Sequence, residues 1–239
     1  MHEAIWFRTV CRQNGIDPTD EQLTKLEQFA KLLLEWNKKI NLISRRDEEN
    51  FWNSHLLHSV SILFKVRLPQ EASIIDLGTG GGLPGIPLKI LLPDISITLL
   101  DSTQKKIKVV QDILDSLSLS KASAVWGRAE EVGKRQDHRA HYDVAIARAV
   151  APLKDLVRWS EPLLRAAGER KADLNQESEG IVRIVPPALI ALKGGDLDGE
   201  KRSVSRLPKV RSIKIIDLTL EGSVQFQTGD KKIVLVTYK

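Results

Sequence analysis

The chain has 239 residues, with 36 lysines and arginines against 31 aspartates and glutamates, so its formal net charge is +5. This length suits one α/β domain with a small appendage, and the modest basic excess is compatible with an RNA partner. The one cysteine, Cys11, excludes an internal disulfide and a metal cage built only of cysteines. Because no window approaches 18 uncharged apolar residues, the sequence predicts a cytoplasmic protein without a membrane span.

The first 70 residues are predicted to be helical. Over 17–42, apolar residues recur at helical spacing, and the stretch "TDEQ" from Thr19 predicts a capping box at the helix start. A second amphipathic stretch covers 48–64. The sequence therefore predicts an N-terminal helical segment over 1–70, followed by a larger unit over 71–239.

In the larger unit, apolar strands alternate with helices of about a dozen residues, which predicts a parallel sheet with helices on both faces. The predicted strands are 73–77, 95–101, 122–126, 142–148 and 188–194, and the predicted helices are 86–92, 103–117 and 152–164. Two further strands, 212–220 and 231–238, are expected to form a final antiparallel pair. The polar segment 169–180 is predicted to be an exposed loop.

A glycine-rich turn, "DLGTGGGLPGIP" over 76–87, directly follows the first of these strands. Ligands of open parallel sheets bind beyond the carboxyl ends of the strands, and glycine lacks the Cβ that would block close approach. A P-loop ending is absent, and G-x-G-x-x-G counted from Gly78 lacks its third glycine. Counted from Gly80 the pattern matches, but it starts four residues beyond the strand's carboxylate and contains Pro84, so we take the match as accidental.

The spacing that remains is D-x-G-x-G-x-G, formed by Asp76, Gly78, Gly80 and Gly82. It resembles the first motif of class I S-adenosylmethionine-dependent methyltransferases. Asp101 ends the next strand, where a carboxylate can accept both ribose hydroxyls of an adenosine cofactor. The alternative is a glycine turn with two solvent-facing acids. If the backbone must lie close to the cofactor, Gly80→Val is expected to abolish cofactor binding with the fold intact.

Longer motifs make the resemblance more specific, and it extends over nearly the whole chain. They are "EWNKKINLIS" (35–44), "HLLHSV" (55–60), "DLGTGGGLPGIPLKI" (76–90), "TLLDSTQKKIKVV" (98–110), "GRAEEV" (127–132), "AIARAVAPL" (145–153) and "ALKGG" (191–195). Together they resemble the glucose-inhibited division protein B family, the 16S ribosomal RNA guanine-N7 methyltransferase G group. The resemblance implies an α/β, Rossmann-like class I methyltransferase fold with a mostly parallel sheet, an antiparallel C-terminal strand and the N-terminal helical appendage.

The resemblance also implies S-adenosylmethionine as cofactor and small-subunit rRNA, or an assembling small ribosomal subunit, as partner. Within the chain it implies that Asp101 holds the ribose and that Ala129 and Glu130 lie by the adenine. The implied cofactor-binding residues are Gly78, Gly80, Leu83, Asp101, Ala129, Glu130 and Arg148. For "RAEE" (128–131) alone, a helix start with acids in its first turn is the favoured interpretation.

Arg148 is the candidate catalytic residue, because it ends the fourth strand and the resemblance places it at the active-site mouth. Guanine N7 has an in-plane lone pair and no proton to remove, so the reaction needs positioning more than a general base. An arginine suits guanine O6, a phosphate or the cofactor carboxylate. Arg128 is a weaker candidate, and the alternative for Arg148 is a surface ion pair.

Basic side chains on both units are candidates for an RNA-binding face: Lys38, Lys39, Arg45, Arg46, Lys105, Lys106 and Lys108. His55 and His58 stand three residues apart on a predicted helix, but they lack partners at metal-ligand spacing, so packing or polar contacts are expected and no metal site is predicted. The sequence does not determine the oligomeric state.

Two features depart from the family pattern. His58 stands where the family usually has aspartate, and residues 169–187 form an apparent insertion before the strand 188–194. Two other functions stay open: a small-molecule methyltransferase, and a non-catalytic RNA-binding protein of ribosome assembly. A nicotinamide-dependent oxidoreductase conflicts with the glycine spacing.

Overall fold

The computed structural model describes residues 2–168, 180–227 and 230–239. Residues 169–179 lie outside the described residues. They include all but the last residue of the predicted loop 169–180 and the first part of the apparent insertion 169–187. The helices are α1 (His2–Gln13), α2 (Asp20–Asn37), α3 (His58–Val60), α4 (Ile62–Lys65), α5 (Gly85–Leu91), α6 (Gln104–Ser116), α7 (Ala129–Val132), α8 (Leu153–Ser160) and α9 (Asp198–Ser205). The strands are β1 (Val66–Arg67), β2 (Ser73–Leu77), β3 (Ser96–Asp101), β4 (Ala122–Trp126), β5 (Val144–Arg148), β6 (Val182–Arg183), β7 (Ala188–Gly194), β8 (Val210–Asp217) and β9 (Lys231–Tyr238).

Seven strands of the described chain form one sheet in the order β4-β3-β2-β5-β7-β9-β8. Neighbours from β4 to β7 are parallel, whereas β9 is antiparallel to both β7 and β8. This confirms the predicted mostly parallel sheet with an antiparallel C-terminal strand. The strand order reverses between β2 and β5, which is where ligands bind in such sheets.

Both faces of the central strands are buried. Successive residues of a strand point to opposite sides of the sheet, and the residues on each side pack against helices. Ile74 belongs to a hydrophobic cluster that includes residues of the N-terminal helices, α5 and α6. Its neighbour Ile75 belongs to a second cluster with residues of α7, α8 and α9. Two covered faces explain why the central strands are continuous apolar runs rather than alternating ones.

The predicted capping box is confirmed at the start of α2. Thr19 Oγ1 accepts from the Gln22 N–H at 3.2 Å, and Gln22 Oε1 accepts from the Thr19 N–H at 2.9 Å. The helix ends at Asn37, earlier than the predicted residue 42. The Asn37 amide oxygen accepts from the N–H groups of Leu42 at 2.7 Å and Ile43 at 3.0 Å, and this side chain replaces further helical bonds.

The rest of the N-terminal segment is less regular than predicted. The stretch 48–64 is interrupted by a π-helical turn over Trp52–Leu57, and α1 is a helix that the sequence analysis did not identify. One hydrophobic cluster contains Phe7 of α1, Leu26 of α2 and Ile74 of the sheet. Residues on both sides of position 70 thus share a core, and the division into 1–70 and 71–239 stays a prediction.

Candidate active site

The glycine turn after β2 folds back on the carboxylate of Asp76. Asp76 Oδ2 accepts from Thr79 Oγ1 at 2.7 Å and from the Gly85 N–H at 2.9 Å. Burial raises the pKa of Asp76 to about 7, although both of these hydrogen bonds lower it. The other oxygen, Oδ1, is buried and has no hydrogen-bond partner among the described residues. Asp76 therefore organises the turn and leaves one polar atom unsatisfied.

The glycines of the motif have different roles. Gly78, Gly80 and Gly82 have φ of +68°, +59° and +91°, so each adopts a conformation that L side chains disfavour. A Cβ on Gly80 would find no heavy atom nearer than 4.0 Å, whereas one on Gly78 would lie 2.6 Å from Val150 Cγ1 and one on Gly82 would clash with the Ile86 side chain. Open space for a ligand therefore lies at Gly80, and Gly82 is required for packing within the turn.

The expectation that Gly80→Val leaves the fold intact needs correction. A φ of +59° lies in the left-handed region, where a β-branched side chain is a genuine outlier. A valine would therefore strain the turn itself as well as fill the open space. Alanine is the sharper probe at this position.

Asp101 is held at the end of β3 by backbone N–H groups. Its Oδ2 accepts from the Gly80 N–H at 3.0 Å and its Oδ1 from the Thr103 N–H at 2.8 Å. Each carboxylate oxygen keeps lone-pair capacity for a further donor such as a ribose hydroxyl. With Asp76 at 0% and Asp101 at 8% exposure, the alternative of two solvent-facing acids is wrong.

A cleft with a free volume of about 100 Å³ runs along the ends of β2, β3 and β4. Its lining includes four predicted cofactor-binding residues and two that the sequence analysis did not identify: Gly78, Asp101, Ala129, Glu130, Val150 and Trp159. Val150 and Trp159 follow β5 in the chain, far from the glycine motif, and no local pattern pointed to them. The structure thus brings four of the seven implied residues to one cleft.

Ala129 and Glu130 begin the short helix α7 at this cleft. Glu130 Oε1 accepts from Arg128 Nε at 2.6 Å. The pKa of Glu130 is held below its usual range by its own backbone N–H and by the Arg128 guanidinium. Arg128 is therefore paired with Glu130 at the mouth of the cleft.

Leu83 lies apart from the cleft lining. Its side chain is buried in the hydrophobic core, and its N–H donates to the Thr79 carbonyl oxygen at 2.9 Å within the turn. In the described structure Leu83 therefore stabilises the turn by core packing and a backbone hydrogen bond.

Arg148 ends β5 and points towards the N-terminal segment. Its Nη2 donates to His55 Nδ1 at 2.8 Å and its Nη1 to the Ser54 carbonyl oxygen at 3.4 Å. Burial lowers the pKa of Arg148 to about 10, although the charges of Asp76 and Asp47 raise it. The alternative of a surface ion pair is wrong, because this guanidinium is largely buried and its partners are a ring nitrogen and a carbonyl.

His55 is held neutral beside Arg148. Because Nδ1 accepts from the guanidinium, the ring proton is placed on Nε2, which is buried without a hydrogen-bond partner in the described chain. Burial and the charge of Arg148 lower the pKa of His55 to about 4, against the raising effect of Asp47. Burial likewise lowers the pKa of His58 well below its usual value. Both histidines therefore act as neutral polar groups.

No group of three or more histidine, cysteine, aspartate or glutamate side chains is placed to hold a metal ion in the part of the chain that the structure describes. None of the described helices is both long and apolar enough to cross a bilayer. The candidate RNA-binding residues Lys38 and Lys39 are exposed just after α2, and Lys39 Nζ lies 5.0 Å from the Trp36 ring centroid.

Comparison with known proteins places the chain in a family. Residues 22–172 match the family model of GidB, described as rRNA small subunit methyltransferase G. Ribosomal RNA small subunit methyltransferase G of Alkaliphilus metalliredigens is 40% identical over 168 residues, 70% of each chain. The protein of the same name from Desulforamulus reducens is 32% identical over 217 residues, 89% of each chain.

Among solved structures, a predicted O-methyltransferase from Agrobacterium tumefaciens superposes with a TM-score of 0.52 at 14% identity, covering 77% of this chain and 80% of the other. At that identity the likeness shows the fold, and it confirms the class I methyltransferase architecture. The family match covers more than half of the chain and includes β2, β3, the glycine turn, Asp101 and Arg148. The chain belongs to the GidB family of rRNA small subunit methyltransferase G proteins.

Proposed function

We propose that the protein transfers a methyl group from S-adenosylmethionine to N7 of a guanine in 16S rRNA, within naked RNA or an assembling small subunit in the cytoplasm. The observation that supports this most is the Asp101 carboxylate, fixed by the Gly80 and Thr103 N–H groups at the cleft. A fixed carboxylate with spare lone pairs suits the ribose hydroxyls of an adenosine cofactor.

The residues present fit this cofactor. Asp101 would hold the ribose, Ala129 and Glu130 would lie by the adenine, and the open space at Gly80 would admit the ligand close to the backbone. The buried, unpartnered Asp76 Oδ1 is a further acceptor beneath the turn. When bound, S-adenosylmethionine supplies an electrophilic methyl group on a sulfonium.

Arg148 would orient the substrate from the other side of the strand-order switch. Its guanidinium is fixed by His55 and Ser54, so it costs little reorganisation when guanine O6 or a neighbouring phosphate arrives. Guanine N7 has no proton to lose, and a neutral, buried His55 suits a site that positions the base rather than deprotonating it. The role of Arg148 is therefore to position and to stabilise charge.

A labelling experiment tests the proposal. The protein is incubated with methyl-labelled S-adenosylmethionine and with small subunits lacking the modification, with naked 16S rRNA, or without RNA. Digestion of the RNA and mass spectrometry of the nucleosides are expected to find label on N7-methylguanosine from one nucleotide. Label on a small molecule would favour the small-molecule enzyme, and cofactor binding without transfer would favour the assembly protein. Asp101→Ala, which is expected to bind the cofactor poorly, is the matched control variant.

A further inference from the structure

A second, half-buried cation, Lys231, lies on the half of the sheet edge away from the cofactor cleft. Lys231 begins β9 and pairs with Gly194 at the end of β7, so it lies at the same edge as Arg148. Its Nζ lies 4.6 Å from the centroid of the Phe226 ring. It forms no salt bridge with any carboxylate of the described residues. A half-buried ammonium over an aromatic ring is favourable, but it leaves the charge uncompensated.

Electrostatics around Lys231 are dominated by positive charge. Burial, and after it the charge of Arg148, lower the pKa of Lys231 to about 8, against the raising effect of Asp47. The two other titratable groups that face it, His55 and His58, are held neutral by burial. Arg148 and Lys231 thus share a partly buried site with two carboxylates, the partly exposed Asp47 and the buried Asp76, which also raises the pKa of Arg148. Neither cation forms a salt bridge with a carboxylate of the described residues.

Hydrogen bonds hold the ammonium in place without neutralising it. In the amide orientation that satisfies Gln225, its oxygen accepts from Lys231 Nζ at 2.5 Å and its nitrogen donates to the Asn53 carbonyl oxygen at 3.2 Å. Asn53 Oδ1 in turn accepts from Ser223 Oγ at 3.1 Å. The neutral amide fixes the direction of Lys231 and leaves two of its three N–H donors for another acceptor.

We propose that Lys231 and Arg148 together bind a backbone phosphate of the RNA strand next to the methylated nucleotide. This inference rests on the proposed function and assigns Lys231 as a substrate-binding residue. A phosphodiester brings one negative charge and anionic oxygens that both cations can bind, which compensates the charge that the protein leaves unpaired.

The position of Lys231 favours RNA over the cofactor carboxylate. Asp101, Ala129 and Glu130 lie at the ends of β3 and β4, on one side of the strand-order switch. Lys231 lies beyond β5 and β7 on the other side, with Arg148 between it and the glycine turn. Its ammonium is therefore placed for the substrate half of the site.

The test compares Lys231→Gln with Lys214→Gln, which removes the same charge from an exposed position on β8. Binding of 16S rRNA and of small subunits lacking the modification is measured from 50 to 200 mM salt, with methylation kinetics and with calorimetry of S-adenosylmethionine. For Lys231→Gln we expect about a tenfold higher KM for RNA and a salt slope smaller by about 0.7–0.9, the value for one phosphate contact. Cofactor affinity and the Lys214→Gln variant should match the wild type.

The pH dependence of RNA affinity gives a second readout. Because the Lys231 cation is lost as pH rises through its folded pKa of about 8, RNA affinity of the wild type should fall between pH 7 and pH 9. Arg148 stays charged in this range and His55 and His58 stay neutral. Asp76, which faces Arg148, has a pKa of about 7 and completes its ionisation in the lower part of the range. Lys231→Arg should restore binding and remove the part of the pH dependence that comes from Lys231, leaving only the part that comes from Asp76.

Three outcomes would overturn the inference: an unchanged RNA KM and salt slope in Lys231→Gln, a loss confined to cofactor affinity, or an equal loss in Lys214→Gln. Methylation by the wild type alongside any of these would leave the proposed function standing. If the wild type methylated no RNA, the proposed function would fail, and the salt slopes would still decide whether Lys231 contacts a phosphate.

Discussion

The two halves of the sheet's carboxyl edge hold their charged groups in opposite ways. On the half formed by β2, β3 and β4, backbone N–H groups bind both oxygens of Asp101. On the half formed by β5, β7 and β9, Arg148 and Lys231 have only ring, carbonyl or amide partners. The Asp101 carboxylate is fully held before any ligand arrives, whereas Arg148 and Lys231 form no salt bridge among the described residues. Lys193 of β7, on the same half, differs from them because it pairs with Glu200 at 2.7 Å.

The largest effect is expected from Asp101→Ala, on the half of the sheet edge formed by β2, β3 and β4. Losing a carboxylate that accepts two ribose hydroxyls should weaken S-adenosylmethionine binding about a thousandfold, because each charge-assisted hydrogen bond contributes about 1.5–3 kcal/mol. Isothermal calorimetry measures the change. Asp115→Ala, on the exposed face of α6, should bind the cofactor like the wild type. Equal affinities for the two variants would contradict the assignment of Asp101.

The pH dependence of stability tests the buried carboxylate of the glycine turn. The folded pKa of Asp76 is about 7 against an ordinary value of 3.8, so its contribution is fully present below pH 3.8 and is lost as pH rises through 7. Between pH 4 and pH 8, the free energy of unfolding of the wild type relative to Asp76→Asn should fall by up to about 4 kcal/mol. Urea unfolding measures this difference, and parallel pH profiles for the two proteins would refute the shifted pKa.

Arg148→Met should lower activity on RNA and leave cofactor binding on the other half of the sheet edge unchanged. Removing one preorganised donor typically costs about 100-fold in rate, so kcat/KM for RNA should fall by about that factor with cofactor affinity within threefold of the wild type. Arg148→Lys keeps the positive charge but loses the planar, bidentate donor arrangement of the guanidinium, and we expect partial activity. A matching loss of cofactor affinity would instead place Arg148 on the cofactor carboxylate. Thermal unfolding of both variants controls for folding.

The smallest effect separates two glycines of the same turn. Gly80→Ala and Gly82→Ala should each cost about 1–2 kcal/mol of stability, since φ is positive at both. Only Gly80 faces open space, so Gly80→Ala should also weaken cofactor binding about tenfold, whereas the added Cβ of Gly82→Ala meets Ile86 and costs further stability. Chemical denaturation with calorimetry distinguishes them, and equal cofactor affinities would mean that the ligand does not approach Gly80.

Much of the sheet was predictable because its signals are local. The strands 188–194, 231–238, 73–77 and 122–126 have the predicted bounds, since short apolar runs between turn residues specify a buried strand. The end of α2 was not predictable, because the bonds that stop it come from the Asn37 side chain to residues beyond it. The pairing of β9 with β7 as well as β8 likewise depends on contacts between distant segments.

The sequence by itself determined the alternation of the main sheet's strands with α5, α6 and α8, the glycine turn and Asp101, because each depends on residues close together in the chain. Only the tertiary structure decided that Val150 covers Gly78, that Leu83 lies in the core, and that His55 binds Arg148 from 93 positions away. Such contacts form when folding brings separate elements to one edge of the sheet. Burial there then shifts the pKa values of Arg148 and Lys231 and leaves both without a salt bridge among the described residues, which no local pattern of residues can specify.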